Sequence, residues 1–301
     1  MISNLYQLIN EAKKYPPKKL AIAAAEHKYV MNAIAKARDE KLIIPYFIGN
    51  KEKITAIASE LNITISDTEI INTSDSNQAC IEAVKQVSEN KADLLMKGLV
   101  STGSLLKHVI SKDYGLLTGK LLSHLAIFES PNYHKLLGIT DAAMNIAPSL
   151  EEKAAILTNA VKIFHALGIA KPKTAILTAV EKVNPKIPAT TDAAILKTMC
   201  ERGQLGNCLV DGPLALDNAI SREAAEHKGI FGEVAGDADL LIAPDLNTGN
   251  VLYKALSFLG NAKCAAIITG SKAPIILTSR ADTEETKFLS IVLGIVSINR
   301  K

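Results

Sequence analysis

Short apolar runs alternate along this chain with longer stretches whose apolar positions recur every three or four residues. Residues 19–25 read as a strand, and 28–41 as a helix with Val30, Ile34 and Ala37 on one face. The alternation continues with strand 42–48, helix 51–61, strand 69–72, helix 76–90 and strand 93–96. A helix then carries 105–110, and 121–129 and 135–140 read as adjacent strands. A second series opens at Ser149, where Ser-Leu-Glu-Glu152 has the form of a capping box; its helix runs to about Leu167 and stops at Gly168. Strand 174–180, helix 191–202, strand 208–210, helix 222–227, strand 239–243 and helix 249–259 follow. Strands 265–269 and 275–278 and a closing helix over 284–298 complete the pattern.

This rhythm predicts an α/β protein with mainly parallel sheets covered by helices. The 301 residues exceed one average domain, so two α/β lobes with an interdomain cleft are expected. The amphipathic last helix needs a sheet face, and the first lobe has one to offer. The expected division is therefore 1–137 plus 272–301 for the first lobe and 138–271 for the second.

Composition narrows the function classes. A net charge of +3 and thirteen aromatics (seven Tyr, six Phe, no Trp) give no nucleic-acid footprint. The longest uncharged apolar run, 288–299, is far short of the roughly twenty residues of a membrane span. Residues 1–10 show no basic segment before an apolar stretch, so a cytoplasmic protein without a membrane partner is expected. Cys80, Cys200, Cys208 and Cys264 form no C-x-x-C pair and read as apolar positions. The six histidines have no H-E-x-x-H spacing, so no metal is expected.

Several familiar motifs fail on spacing. Gly115-Leu-Leu-Thr-Gly119-Lys120 has three residues between its glycines where a P-loop needs four, and Leu121 where it needs Ser or Thr. No G-x-G-x-x-G follows the first strand, and no G-x-S-x-G elbow exists. Three segments survive, each joining a strand end to glycine, hydroxyls or charge. Lys97-Gly-Leu-Val-Ser101-Thr102-Gly103 opens a helix, and Lys97, Ser101, Thr102 and Lys107 could add donors for an anion. The plain alternative is a βα turn capped by Ser101. Residues 236–250 bring Asp245, Asn247 and Asn250 to a strand's carboxyl end, with Asn247 a possible helix cap. Residues 270–285 carry Lys272 and then Ser279-Arg280, a guanidinium beside a hydroxyl suited to phosphate or a developing oxyanion. Asp282-Thr-Glu-Glu285 in the same stretch reads as a capping box.

These strings together resemble the phosphate acetyl/butyryltransferase family. The resemblance rests on Pro-Asp-Leu-Asn-Thr-Gly-Asn-Val-Leu-Tyr-Lys (244–254), Val234-Ala-Gly-Asp-Ala-Asp239 and Leu277-Thr-Ser-Arg280. Lys97-Gly98 with Ser101-Thr-Gly103, Thr140-Asp141-Ala-Ala-Met-Asn145 and Asp211-Gly-Pro-Leu-Ala-Leu-Asp217 add to it. It runs from about residue 93 to the C-terminus, with 211–217 and 278–282 closest to the butyryl members. It implies a two-lobe fold of the isocitrate/isopropylmalate dehydrogenase-like type and the reaction acyl-CoA + phosphate ⇌ acyl phosphate + CoA. No bound cofactor is implied, since coenzyme A is a substrate, and a homodimer or higher homo-oligomer is expected. The apolar helix 288–298 points the same way.

Carried over residue by residue, Ser279 and Arg280 hold the acyl phosphate and its developing charge. Lys97, Ser101, Thr102, Lys107, Asp141, Asn145, Asp245, Asn250 and Lys272 are the implied substrate-binding set. Lys107 stands where acetyl-transferring relatives have Arg, making its contact a point charge instead of a fork. Thr286 stands where those relatives place an Asp that takes the CoA thiol proton. Glu285 or Asp282 could replace it, or CoA could enter already ionised. Glu285 has the longer reach and is taken as the base, leaving Asp282 to cap the closing helix. Acetyl transfer is the alternative reading. A metal-dependent dehydrogenase of similar shape would need Asp237, Asp239 and Asp245 grouped on one loop, and a non-catalytic acyl-CoA-binding module is the plainest reading.

Overall fold

The computed structural model describes residues 2–279 and 282–300. Leu5, Leu8 and Ala12 are buried along one face of the opening helix α1 (Leu5–Ala12). Strand and helix then alternate through β1 (Lys18–Ala23), α2 (Lys28–Asp39), β2 (Ile43–Gly49), α3 (Lys51–Glu60) and β3 (Ile70–Asn72). Next come α4 (Ser76–Ser88), β4 (Leu94–Lys97) and α5 (Thr102–Val109). Strands β5 (Ser123–Glu129) and β6 (Leu137–Thr140) are consecutive, followed by α6 (Leu150–Ala166), β7 (Lys173–Leu177), α7 (Pro188–Glu201) and β8 (Leu209–Leu214). The chain closes through α8 (Leu216–Ile220), α9 (Arg222–His227), β9 (Leu240–Ile242), α10 (Leu246–Lys254), β10 (Lys263–Thr269), β11 (Ile275–Ile276) and α11 (Glu284–Asn299).

The chain divides into two units. The first comprises Tyr6–Lys120 and Ala265–Arg300. Its strands lie in the order β3-β2-β1-β4-β11-β10, parallel except for β10 against β11. Helix α11 belongs to this unit, packing on α2 and β11. Side chains from Phe288 to Val296 are buried there, and Gly294 lies against Leu94 and Ile276. The apolar face that suggested a homodimer is thus spent on the helix's own unit, and α11 no longer argues for one.

The second unit comprises residues 2–5 and Leu121–Cys264, with strand order β5-β6-β9-β7-β8. Strand β5 runs antiparallel to β6 and the remaining neighbours are parallel. That pairing moves the first boundary from the expected 137/138 to 120/121, because β5 goes with its partner β6. The second boundary falls at 264/265, where 271/272 was expected. Helix α6 starts on the expected capping box, Ser149 Oγ accepting from the Glu152 amide and Glu152 accepting from the Ser149 amide, and it ends at Gly168 with φ +83°. All four cysteines are free, and burial pushes the Cys80 thiol up to about 11 and the Cys208 thiol up to about 12. No helix among the described residues is long and apolar enough to cross a membrane.

One charged cluster ties the amino ends of three adjacent strands in the second unit. Asp237 precedes β9 and pairs with Lys173 of β7, with Lys135 before β6 (3.0 Å) and with His134 (2.8 Å). Asp239 accepts from the Lys173 amide (2.7 Å) and pairs with Lys135 (2.8 Å). Burial opposes ionisation of Asp237, but Lys173, Lys135 and His134 outweigh it and hold the carboxyl far below the usual carboxylate range. A carboxyl lowered on folding contributes stability above its unfolded pKa of about 3.9 and loses it as pH falls toward the folded value. We therefore expect Asp237→Asn to cost about 1.5–3 kcal/mol at pH 7 in urea unfolding, with the gap to wild type closing below about pH 4.

In the first unit β4 passes into α5 through Gly98, folded tightly over the end of β1. Its amide donates to Ala23 O (2.8 Å), and the Leu99 amide donates to Ala24 O (2.6 Å). A Cβ on Gly98 would stand 2.0 Å from Ala24 O, so any side chain must push the two strand ends apart. Gly98→Ala should destabilise by about 1–3 kcal/mol in the same experiment, whereas Gly103→Ala, with nothing within 4 Å, should not.

Candidate active site

Strands β1, β4 and β11 of the first unit are parallel neighbours, so their carboxyl ends meet at one sheet edge. A small recess of about 10 Å³, room for about one water, opens there, lined by Lys97, Gly98, Leu99, Thr278, Ser279 and Lys287 together with His27 and Val30. Lys97 ends β4 and is buried; its ammonium donates to Val100 O (3.2 Å) and more weakly to Gly98 O (3.4 Å). The other wall is the segment after β11, where Thr278 is buried and Ser279 exposed. The Ser279 amide donates to Asp282 Oδ2 (2.6 Å).

Lys287, in the first turns of α11, is 2% exposed. Helical side chains lean toward the helix N-terminus, and this one reaches back so that Nζ donates to Asp282 O (2.5 Å) and Ser279 O (3.3 Å). Burial pushes its pKa down, opposed by the carboxylates of Asp282 and Glu284. Two ammonium groups thus line the recess, and no carboxylate is among its described lining residues. Such a recess favours negative charge on whatever enters it.

Arg280 lies outside the described residues. Asp282 does not cap α11: Thr283 does, its hydroxyl accepting from the Thr286 amide (3.1 Å). The Asp282 carboxylate turns instead to Ser279, since an acceptor three residues on satisfies that strand-end amide. Glu285 is exposed on the first turn of α11. Ser101 is the cap of α5, accepting from the Ser104 amide (3.0 Å), and Thr102 begins that helix. Lys107 is exposed in the last turn of α5, about 7.5 Å along the axis from Thr102.

Lys272 is separated from this group. It precedes β11 and donates to Ser88 O (2.5 Å) at the end of α4, which places it at the amino end of the strands that carry Lys97 and Ser279 at their carboxyl ends. Sequence reading missed Lys287 and His27. The available signal for Lys287 was the one basic residue of α11, placed directly before its apolar stretch.

In the second unit, Asp141, Asn145 and Asn250 come together at the carboxyl end of β6. Asp141 is buried, with Oδ1 accepting from the amides of Ala143 (2.8 Å) and Met144 (2.9 Å). Its Oδ2 accepts from Asn145 Nδ2 (2.6 Å) and the His124 amide (3.2 Å). Asn145 also donates to Leu122 O (3.0 Å), and Asn250 donates to Ala142 O (3.0 Å). Asp245 is the cap of α10 through the Thr248 amide (2.8 Å), the role the sequence offered to Asn247. Asp237 and Asp239 hold lysines at the opposite end of β9, so the three aspartates a metal-dependent dehydrogenase would need are not grouped.

Comparison with known proteins bears on this arrangement. The profile of the phosphate acetyl/butaryl transferase family matches residues 76–295. Phosphate butyryltransferase of Clostridium acetobutylicum is 44% identical over 301 residues, covering 100% of both chains. Phosphate acetyltransferase of Thermotoga maritima is 46% identical over 279 residues, 93% of this chain and 95% of the relative. Among solved structures, a branched-chain phosphotransacylase from Enterococcus faecalis V583 superposes with a TM-score of 0.83 at 33% identity, covering 94% of this chain and 100% of that one. With a family match over most of its length and relatives similar end to end, the chain belongs to the phosphate acetyl/butaryl transferase family.

Proposed function

We propose that this enzyme transfers a short acyl group, butyryl, between coenzyme A and inorganic phosphate: acyl-CoA + phosphate ⇌ acyl phosphate + CoA. The observation that carries the reading is Ser279, exposed at a strand end beside the buried ammonium groups of Lys97 and Lys287. In the thiolysis direction the CoA sulfur attacks the acyl carbonyl and the C–S bond forms. The carbonyl oxygen becomes an oxyanion; the C–O bond to phosphate then breaks, and the thiol proton is balanced by hydrogen phosphate. Both the acyl phosphate and the tetrahedral intermediate bring negative charge to a recess walled by cations. Ser279 and Arg280 are proposed to hold them, and fixed donors at such a position are worth about 2.7–4 kcal/mol.

A CoA thiol with a pKa near 8.5 needs only a modest base at neutral pH. Asp282 is engaged with the Ser279 amide, so the carboxylate proposed for that task is Glu285, exposed nearby on α11.

Thiol release from an acyl-CoA chain-length series, with and without phosphate, tests the function. Phosphate-dependent release with kcat/KM higher for butyryl-CoA than for acetyl-CoA is expected. The reverse order selects the acetyl reading, and binding without release selects the non-catalytic one. Arg280→Ala should lower kcat about 10²- to 10³-fold with an unchanged CD spectrum, and Arg280→Lys should recover little of it. Glu285→Gln should slow thiolysis most at low pH, where CoA is least ionised, and recover part of the rate as pH rises. A wild-type pH profile in that variant would leave thiolate capture without a protein base.

A further inference from the structure

We propose that Lys287 is a positioning residue whose ammonium ties the main chain at Ser279 to that at Asp282 and so sets where the Ser279 hydroxyl stands. The inference rests on the functional reading above for the meaning of Ser279, and on geometry for everything else. Nζ donates to Ser279 O (3.3 Å) and to Asp282 O (2.5 Å), one contact at each end of the segment. Asp282 also binds Ser279 directly, its Oδ2 accepting from the Ser279 amide (2.6 Å) and its own amide donating to Ser279 O (3.2 Å). The main-chain N–H of Ser279 is held by Asp282 and its C=O by Lys287 together with the Asp282 amide.

Helix stability alone does not account for Lys287. The cap of α11 is supplied by Thr283, and the helix is anchored by the apolar side chains that follow from Phe288 onward. An ammonium 2% exposed among them is desolvated at a cost, which its lowered pKa also reflects. What it obtains in return is the two carbonyls on either side of the segment that carries Ser279. Lys287 lines the recess with Lys97, while Asp282 and Glu284 are the carboxylates whose charge acts on Lys287.

The test compares Lys287→Met, Asp282→Ala and the double variant, with kcat, the KM values for butyryl-CoA and phosphate, and thermal unfolding measured for each. We expect each single variant to lower kcat about tenfold or more per folded molecule, with KM for butyryl-CoA within about twofold of wild type. The double variant should be no slower than the slower single variant, because both residues act through one segment. Lys287→Gln, which keeps a donor at shorter reach, should recover part of the loss. An unfolding defect with wild-type kcat per folded molecule, or multiplicative losses in the double variant, would overturn the proposal. If Lys287→Met does not fold, Lys287→Gln takes its place in the cycle. Amide hydrogen exchange separates this proposal from the functional reading. The Ser279 amide should exchange faster in Lys287→Met and Lys287→Gln, while β4 amides stay protected. Unchanged Ser279 protection removes Lys287 from its role even if the wild-type enzyme proves to have a different substrate. Absence of phosphate-dependent thiol release by wild type, with the exchange difference intact, removes the functional reading alone.

Discussion

An ammonium group taken out of water has to find oxygen acceptors, and this requirement shapes the candidate site more than any other. At the carboxyl edge of β4 and β11 acceptors come from the main chain. Lys97 takes Val100 O and, at longer range, Gly98 O; Lys287 takes Asp282 O and Ser279 O. Two carbonyls converge on one ammonium only where the chain bends around it. Lys97 is tied in this way to the turn after β4 and Lys287 to the main chain at Ser279 after β11, and residues of both stretches line one recess. Gly98 is part of the same constraint, since the turn around Lys97 must also pass close over Ala24 O.

The second unit handles buried charge differently. Lys135 and Lys173 meet the carboxylates of Asp237 and Asp239, and the cluster fastens the amino ends of β6, β9 and β7. There the charges offset one another locally, so the cluster is suited to holding strands together. Main-chain carbonyls, by contrast, solvate the ammonium groups of Lys97 and Lys287, and the carboxylates of Asp282 and Glu284 act on Lys287 as charges. Asp141 follows a third pattern, with both oxygens occupied by loop amides and Asn145. A carboxylate so fully engaged organises the loop after β6, and this gives Asp141 a structural role alongside the one its family motif implies.

The alternation of short strands and helices was legible in the sequence because apolar periodicity persists over long segments, and the Ser149–Glu152 box and Gly168 placed both ends of α6 closely. Helix α1 escaped notice because eight residues give too few turns for a pattern, although Leu5, Leu8 and Ala12 are buried. The membership of β5 escaped because antiparallel pairing with β6 leaves no local mark. At the site, strand-end residues such as Lys97 and Ser279 stood out by type, and Lys272 did so for the same reason. Type alone cannot tell which end of a strand a residue occupies in space. The caps show the same limit: Asp245 and Asn247, like Asp282 and Thr283, offer two acceptors within three residues. Only the fold decides which one meets the helix amide.

That choice at the start of α11 has a chemical consequence. Because Thr283 satisfies the Thr286 amide, Asp282 is released from the helix, and because the Ser279 amide needs an acceptor, Asp282 is at once engaged again. Taking a thiol proton on the engaged oxygen would mean surrendering the bond that orients Ser279. Position 286, a threonine, supplies no carboxylate. On the proposed reading proton removal falls to Glu285 or to thiolate already present, and a thiol with a pKa near 8.5 makes either a small demand. Charge on the carbonyl and phosphate oxygens is the larger demand, because it develops away from water and must be met by groups already in place. A recess built around two buried ammonium groups answers that demand directly. On that proposed reading a change of base would cost this enzyme little, whereas a change at Lys97 or Lys287 would move the main chain of Val100 or of Ser279.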